Sequence, residues 1–107
     1  MAGIGSVFLR TTDMAVAARI LGRLFTLAGP EPGAMWLEVP GDIPLFVESV
    51  SSDVELHAAE FGIQVEDASS ARDALADYPV SEIFEVAPGV NGFHVNEPRV
   101  QSLFIHE

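Results

Sequence analysis

Glu60-Phe61-Gly62-Ile63-Gln64-Val65-Glu66-Asp67 decides the fold, because Ser6-Val7-Phe8-Leu9-Arg10-Thr11-Thr12-Asp13 repeats its pattern 54 positions earlier. In both stretches every second residue is suited to one face of a pleated strand, and the intervening residues fall on the other face. Each stretch ends on an aspartate that can cap the helix that follows. After Asp13, the residues Ala17, Ile20, Leu21, Leu24, Phe25 and Ala28 recur at the spacing of one helical face until Gly29-Pro30. After Asp67, a shorter helix is expected through Tyr78, with Pro79 ending it.

Working outward, Ile4 to Thr11 reads as the first strand. Ala34 to Val39 and Ile43 to Val50 read as a hairpin across Pro40-Gly41-Asp42. Glu60 to Glu66 opens the second cycle. Val80 to Val86, Asn91 to Asn96 and Val100 to His106 read as its remaining strands, parted by Pro88-Gly89 and Glu97-Pro98-Arg99. The spacing predicts a single α+β domain over residues 1–107, built of two modules at 1–52 and 53–107.

A chain of 107 residues is long enough for a core without covalent staples. It has no cysteine, which removes disulfides, thiolate metal sites and a cysteine nucleophile. The five basic residues are all arginine (Arg10, Arg19, Arg23, Arg72 and Arg99), so a lysine Schiff base and a P-loop are excluded as well. Sixteen acidic residues bring the formal charge to −11, which repels phosphate backbones and anionic lipid and favours a cationic ligand. No nucleic-acid or membrane partner is expected. With no membrane span or signal peptide legible, a cytoplasmic location is expected.

The βαβββ-βαβββ order, with Gly92-Phe93-His94-Val95-Asn96-Glu97-Pro98 near the C-terminus, resembles the vicinal oxygen chelate superfamily of glyoxalase, bleomycin-resistance and extradiol dioxygenase proteins. The resemblance covers nearly the whole chain. Phe93 through Pro98 is similar to the strand leading into the family's Asp-Pro-Asp-Gly-Asn turn, which here reads Glu97-Pro98-Arg99-Val100-Gln101. It implies curved mixed sheets around a cup. A ferredoxin-like α+β dimer is the competing arrangement, in which one of the short strands is a loop.

The resemblance also implies four metal-ligand places, which fall on Ser6, Phe46, Glu60 and Phe104. Of these only Glu60 can ligate, and one carboxylate does not hold a divalent cation against water, so a metal-free protein without a cofactor is expected. His94 and His106, if adjacent, could join Glu60 in a two-histidine, one-carboxylate set. His57 and Glu60, three apart in chain read as extended, point to opposite faces.

Strand alternation sends Phe8, Arg10, Glu60, Gly62 and Gln64 to the concave face, away from the helices. Trp36, Glu38, Phe46 and Glu48 join them from the hairpin, and His94, Ser102, Phe104 and His106 from the closing strands. Rings and carboxylates together suit a cationic or aromatic small molecule. Arg10 is expected to pair with Glu48 or Glu60, or to clamp a ligand carboxylate.

The reading is a glyoxalase/bleomycin-resistance-like binding protein, with antibiotic sequestration as its concrete form. Its expected ligand-binding residues are Phe8, Arg10, Trp36, Glu38, Phe46, Glu48, Glu60, Gln64, His94 and Phe104. Two alternatives stand beside it: a metal-independent lyase, isomerase or hydrolase with Glu60 or Glu48 as base, and a protein-interaction module with a filled cup. Bleomycin-resistance-like members of the family are acidic dimers with clefts between subunits, so a homodimer is implied.

Overall fold

Two aspartates turn strand into helix in the computed structural model of the chain, which describes residues 2–26, 36–39, 41, 43–51 and 56–107, with Trp36 and Leu37 described in backbone only. The first sheet contains β1 (Val7–Thr11), β2 (Trp36–Val39) and β3 (Leu45–Ser49), in the order β1-β3-β2. β1 runs parallel to β3, and β2 antiparallel. The second contains β4 (Phe61–Gln64), β5 (Phe84–Ala87), β6 (Val90–Val95) and β7 (Leu103–His106), in the order β4-β7-β6-β5. β4 and β7 are parallel, whereas β7-β6 and β6-β5 are antiparallel. The described part of the first cycle is therefore βαββ and the second is βαβββ. This two-sheet α+β architecture is the expected one, not the ferredoxin-like alternative.

Both caps form. The Asp13 carboxylate accepts from the Ala15 and Val16 N–H groups ahead of α1 (Met14–Gly22), and Asp67 accepts from Ser69 and Ser70 ahead of α2 (Ala68–Ala74). α1 buries Val16, Ala17, Ile20 and Leu21 against the side of the first sheet that carries Leu9, Val39, Leu45 and Val47. α2 buries Ala68 and Ala71, with Leu75 just beyond its end, against Ile63, Phe93, Val95, Leu103 and Ile105. One apolar cluster thus lies under each helix and joins across the molecule. Among the described residues no helix is long and apolar enough to cross a membrane.

The helices stop earlier than their apolar spacing predicts. α1 ends at Gly22, a poor helix former, and its last turn tightens as the Arg23 and Leu24 N–H groups bond carbonyls three residues back. The Arg23 guanidinium leaves the helix to pair with Asp77, bond the Ala74 carbonyl and cover the Tyr78 ring. The remainder of the predicted helix, 27–28, lies outside the described residues. α2 gives way after Ala74 to turns that carry the chain to Tyr78 and Pro79.

Strand ends follow their partners. β1 begins at Val7 rather than Ile4 because its neighbour β3 begins only after Pro44, whose carbonyl takes the Val7 N–H. The predicted strand from Val80 is interrupted. Val80 makes an isolated bridge with Val95, and the Ser81 hydroxyl takes the His94 N–H in place of a backbone partner. Regular pairing resumes at Phe84 and reaches the two-residue turn at Pro88-Gly89, where Gly89 takes φ +77°.

The Glu97–Gln101 turn stitches the two sheets together. Its Val100 bridges Thr11, the Arg99 carbonyl accepts the Thr12 N–H, and the Gln101 N–H donates to the Arg10 carbonyl. Fully buried Thr11 places its hydroxyl 2.6 Å from the Arg99 carbonyl. Within the turn, the Arg99 Nε lies 2.7 Å from the buried Glu97 carboxylate and holds it below the usual carboxylate range.

Candidate functional site

The faces away from the helices are built by register. In the first sheet, Phe8 is opposite Phe46 and Arg10 opposite Glu48, while Glu38 is opposite Phe46 and Trp36 opposite Glu48 from the other side. The Phe8 and Phe46 rings stack at 5.6 Å, and Arg10 Nε reaches Glu48 Oε1 at 3.1 Å. Of the two partners open to Arg10, the structure selects Glu48. Glu38 is exposed, and the Trp36 side chain lies outside the described residues.

In the second sheet, the register lines up Gly62, Phe104 and His94 in one row and Gln64, His106, Gly92 and Phe84 in the next. A continuous strip of rings results. Phe84 stacks on His94 at 5.2 Å and on Phe104 at 6.1 Å, His94 stacks on Phe104 at 5.2 Å, and Phe104 stacks on His106 at 5.1 Å. Gly92 lies beneath the strip. A Cβ there would stand 2.9 Å from Phe104 Cε1 and 3.0 Å from Val86 Cγ2, so the missing side chain is what lets those groups meet over the sheet.

Glu60, just ahead of β4, reaches past β7 to β6. Its Oε2 lies 2.5 Å from His94 Nδ1. Glu60 therefore pairs with His94 and not with Arg10. The three-ligand arrangement of His94, His106 and Glu60 does not assemble, because the Phe104 ring stands between the two imidazoles and His106 Nδ1 donates to the Glu107 carbonyl. No group of three or more His, Cys, Asp or Glu side chains with metal-binding geometry occurs among the described residues. Of the four family ligand places, only Glu60 offers a ligating side chain fit for a divalent cation, and His94 already occupies it.

Chain around His57 is a turn rather than extended. The imidazole ties that turn to the closing segment, with Nε2 3.1 Å from the Pro98 carbonyl and Nδ1 2.8 Å from Ser102 Oγ. A separate groove of about 280 Å³ wraps the outer edge of β4, lined by Val7, Phe25, Leu45, Phe61, Ile63 and Gln64 among others. Gln64 is the sequence candidate it contains. In the ring strip itself Phe84 is 39% exposed, while His94, Phe104 and His106 are half-buried.

Phe84 was not among the sequence candidates, although it completes the strip. Its signal is Gly92, a residue without a side chain two places before His94, which marks where something crosses the sheet.

No protein-family model and no curated protein sequence matches this chain. Solved structures do match, at low sequence identity. The oxidase ChaP-H1 superposes with a TM-score of 0.70 at 20% identity, over 99% of this chain and 95% of that one. A bleomycin-binding protein complexed with bleomycin gives 0.69 at 12% identity, over 99% and 98%. A glyoxalase/bleomycin resistance protein from Catenulispora acidiphila gives 0.68 at 15% identity, over 98% of each chain. Such likeness carries the fold but not the chemistry, since these structures include both a binding protein and an oxidase. The paired βα(β)ββ sheets, their register and these superpositions together show that the chain has the fold of the vicinal oxygen chelate superfamily, that of the glyoxalase and bleomycin-resistance proteins.

Proposed function

We propose that the protein is a metal-free small-molecule-binding protein whose ligand is a planar aromatic cation held on the Phe84–His94–Phe104–His106 strip. The strip carries this reading. The rings stack on one another, and Phe84, the exposed member, offers a negative π-face on which a flat cation would extend the stack. The −11 chain adds long-range attraction. Arg10, the cation on the first sheet's corresponding face, is already balanced by Glu48. Sequestration of an antibiotic is the concrete form we favour, and the bleomycin-bound structural neighbour supports it. The single domain of two modules is completed, in this reading, by a second copy that covers the exposed Ile4, Phe8 and Ile43 and leaves the strip open.

Calorimetric titration with proflavine, a planar cation, and with anthracene carboxylate, a planar anion, tests the reading. Proflavine is expected to bind more tightly, to weaken between low salt and about 0.5 M salt, and to lose about fivefold in affinity in Phe104→Ala, as removal of one stacked ring costs roughly 1 kcal/mol. Tighter binding of the anion, or an unchanged Phe104→Ala, refutes it.

A further inference from the structure

Of the two imidazoles in the strip, that of His94 differs from its ring neighbours in one respect: the Glu60 carboxylate is hydrogen-bonded to it. We propose that His94, positioned by Glu60, is a general base that removes a proton from a planar aromatic molecule lying on the strip. The inference rests on the ligand site proposed above and adds a reaction to it.

The tautomer follows from the donor set. An ionised carboxylate only accepts hydrogen bonds, so with Glu60 Oε2 at 2.5 Å the proton of neutral His94 sits on Nδ1 and the basic lone pair on Nε2. The ring is also held against rotation. Phe84 and Phe104 stack on it with interplanar angles of 20° and 29°. Its backbone is clamped by Ser81, whose hydroxyl takes the His94 N–H at 2.8 Å and whose N–H donates to the His94 carbonyl at 2.9 Å. A base whose orientation is fixed from several sides before its substrate arrives is what proton transfer needs.

The chain's other two histidines lack this arrangement. His57 has both ring nitrogens engaged, and His106 is fixed by a backbone carbonyl, which brings no charge to balance an imidazolium. At His94 the Glu60 anion stabilises the imidazolium formed when the proton is taken. The pair is also reachable, with side-chain exposures of 34% for His94 and 41% for Glu60.

The substrate class is a flat aromatic compound with a removable proton on a ring carbon or a hydroxyl group. The probe 5-nitrobenzisoxazole has that shape and reports the step directly. His94 Nε2 takes the C3 proton, the C–H electron pair becomes part of a nitrile, and the N–O bond breaks to release a coloured phenolate. The proton later leaves Nε2 for water, and no oxidant, reductant or metal is consumed.

The experiment measures probe turnover by phenolate absorbance and probe binding by calorimetry on the same protein. Wild type is expected to exceed an equal concentration of free imidazole, and His94→Gln to fall by about 100-fold. Glu60→Gln, whose amide oxygen still accepts from Nδ1 but carries no charge, is expected to lose about tenfold in kcat with KM unchanged. Phe84→Ala should raise KM, and His57→Gln should match wild type. Nitrogen-15 spectra of His94 should show a protonated Nδ1 and a bare Nε2 in the folded protein, a readout that survives if a variant fails to fold. Binding without turnover overturns the base assignment and leaves the binding reading standing. Absence of probe binding where proflavine binds overturns the substrate class and leaves the binding reading standing, absence of both overturns both, and a bare Nδ1 overturns the assignment of roles.

Discussion

Alanine at Gly92 and alanine at Gly62 should have opposite effects, although both glycines lie in strands on the same face of the second sheet. Without crowding, replacing a strand glycine stabilises by about 0.4–1 kcal/mol because the unfolded chain loses freedom. At Gly62 the new methyl would meet the His106 ring, Nε2 at 3.7 Å and Cδ2 at 4.0 Å, both ordinary contacts. At Gly92 it would stand 2.9 Å from the Ile105 carbonyl oxygen as well as 2.9 Å from Phe104 Cε1 and 3.0 Å from Val86 Cγ2. The rings and methyls can shift, but the carbonyl belongs to the neighbouring strand of the β6–β7 ladder and cannot move without loosening it. Overpacking of this kind costs about 1–3 kcal/mol. Less the entropic gain, the net cost at Gly92 centres on about 1.3 kcal/mol; in a domain of this size each kcal/mol moves Tm by roughly 4–8 °C, so Gly92→Ala should melt about 5–10 °C below wild type while Gly62→Ala melts at or above it. Thermal unfolding followed by circular dichroism reads both. Displacement of Phe104 should also weaken proflavine binding in Gly92→Ala. Equal melting temperatures for the two variants would refute the argument that the glycine at 92 is there for space.

Two further outcomes follow from the surface and from the Glu97 turn. Light scattering at micromolar concentration should give about twice the 11.5 kDa chain mass, since Ile4, Phe8 and Ile43 are large apolar side chains left exposed on one chain outside the ring strip; a monomer refutes the second copy. Glu97 is held below the ordinary glutamate value of 4.5 by its hydrogen bond from Arg99, so its stabilising contribution is complete above that pH and is lost as pH falls through the lower, folded value. The stability gap between wild type and Glu97→Gln in denaturant titrations should therefore close on acidification below about pH 4.5, and a gap that stays constant refutes the assignment.

Strand faces were legible because alternation needs only the local sequence. Leu9 and Thr11 went under the helix and Phe8 and Arg10 to the other face, as Ile63 and Gln64 did in the second cycle. Contacts between faces were not legible, because they depend on register, and a slip of one residue exchanges every partner. Arg10 meets Glu48 because β1 pairs with β3 in parallel at that step. Glu60 meets His94 across β7, the strand that the sheet order places between β4 and β6. Phe84 was missed for a related reason. A single run from Val80 to Val86 conceals both the Ser81 side chain that interrupts pairing and the register shift between Glu85 and Ala87.

The two helix-free faces have the same plan and differ in one chemical choice. Each carries stacked rings beside one carboxylate that has a nitrogen partner: Phe8 and Phe46 with Glu48–Arg10, and Phe84, His94 and Phe104 with Glu60–His94. A guanidinium remains charged at every pH at which the protein is folded, so the Arg10–Glu48 pair is a fixed feature that orients or repels but exchanges no proton. At side-chain exposures of 59% and 40%, it also adds little stability, on the order of 0–1 kcal/mol. An imidazole gives and takes a proton near neutrality, so the same carboxylate placed behind His94 becomes a means of moving one. In the proposed reading only the second sheet's face therefore acts on a ligand, while the paired charges of the first exchange no proton. Exchanging the nitrogen partners tests that division: His94→Arg should keep an ion pair with Glu60 and abolish turnover of 5-nitrobenzisoxazole, and retained turnover would place the base elsewhere.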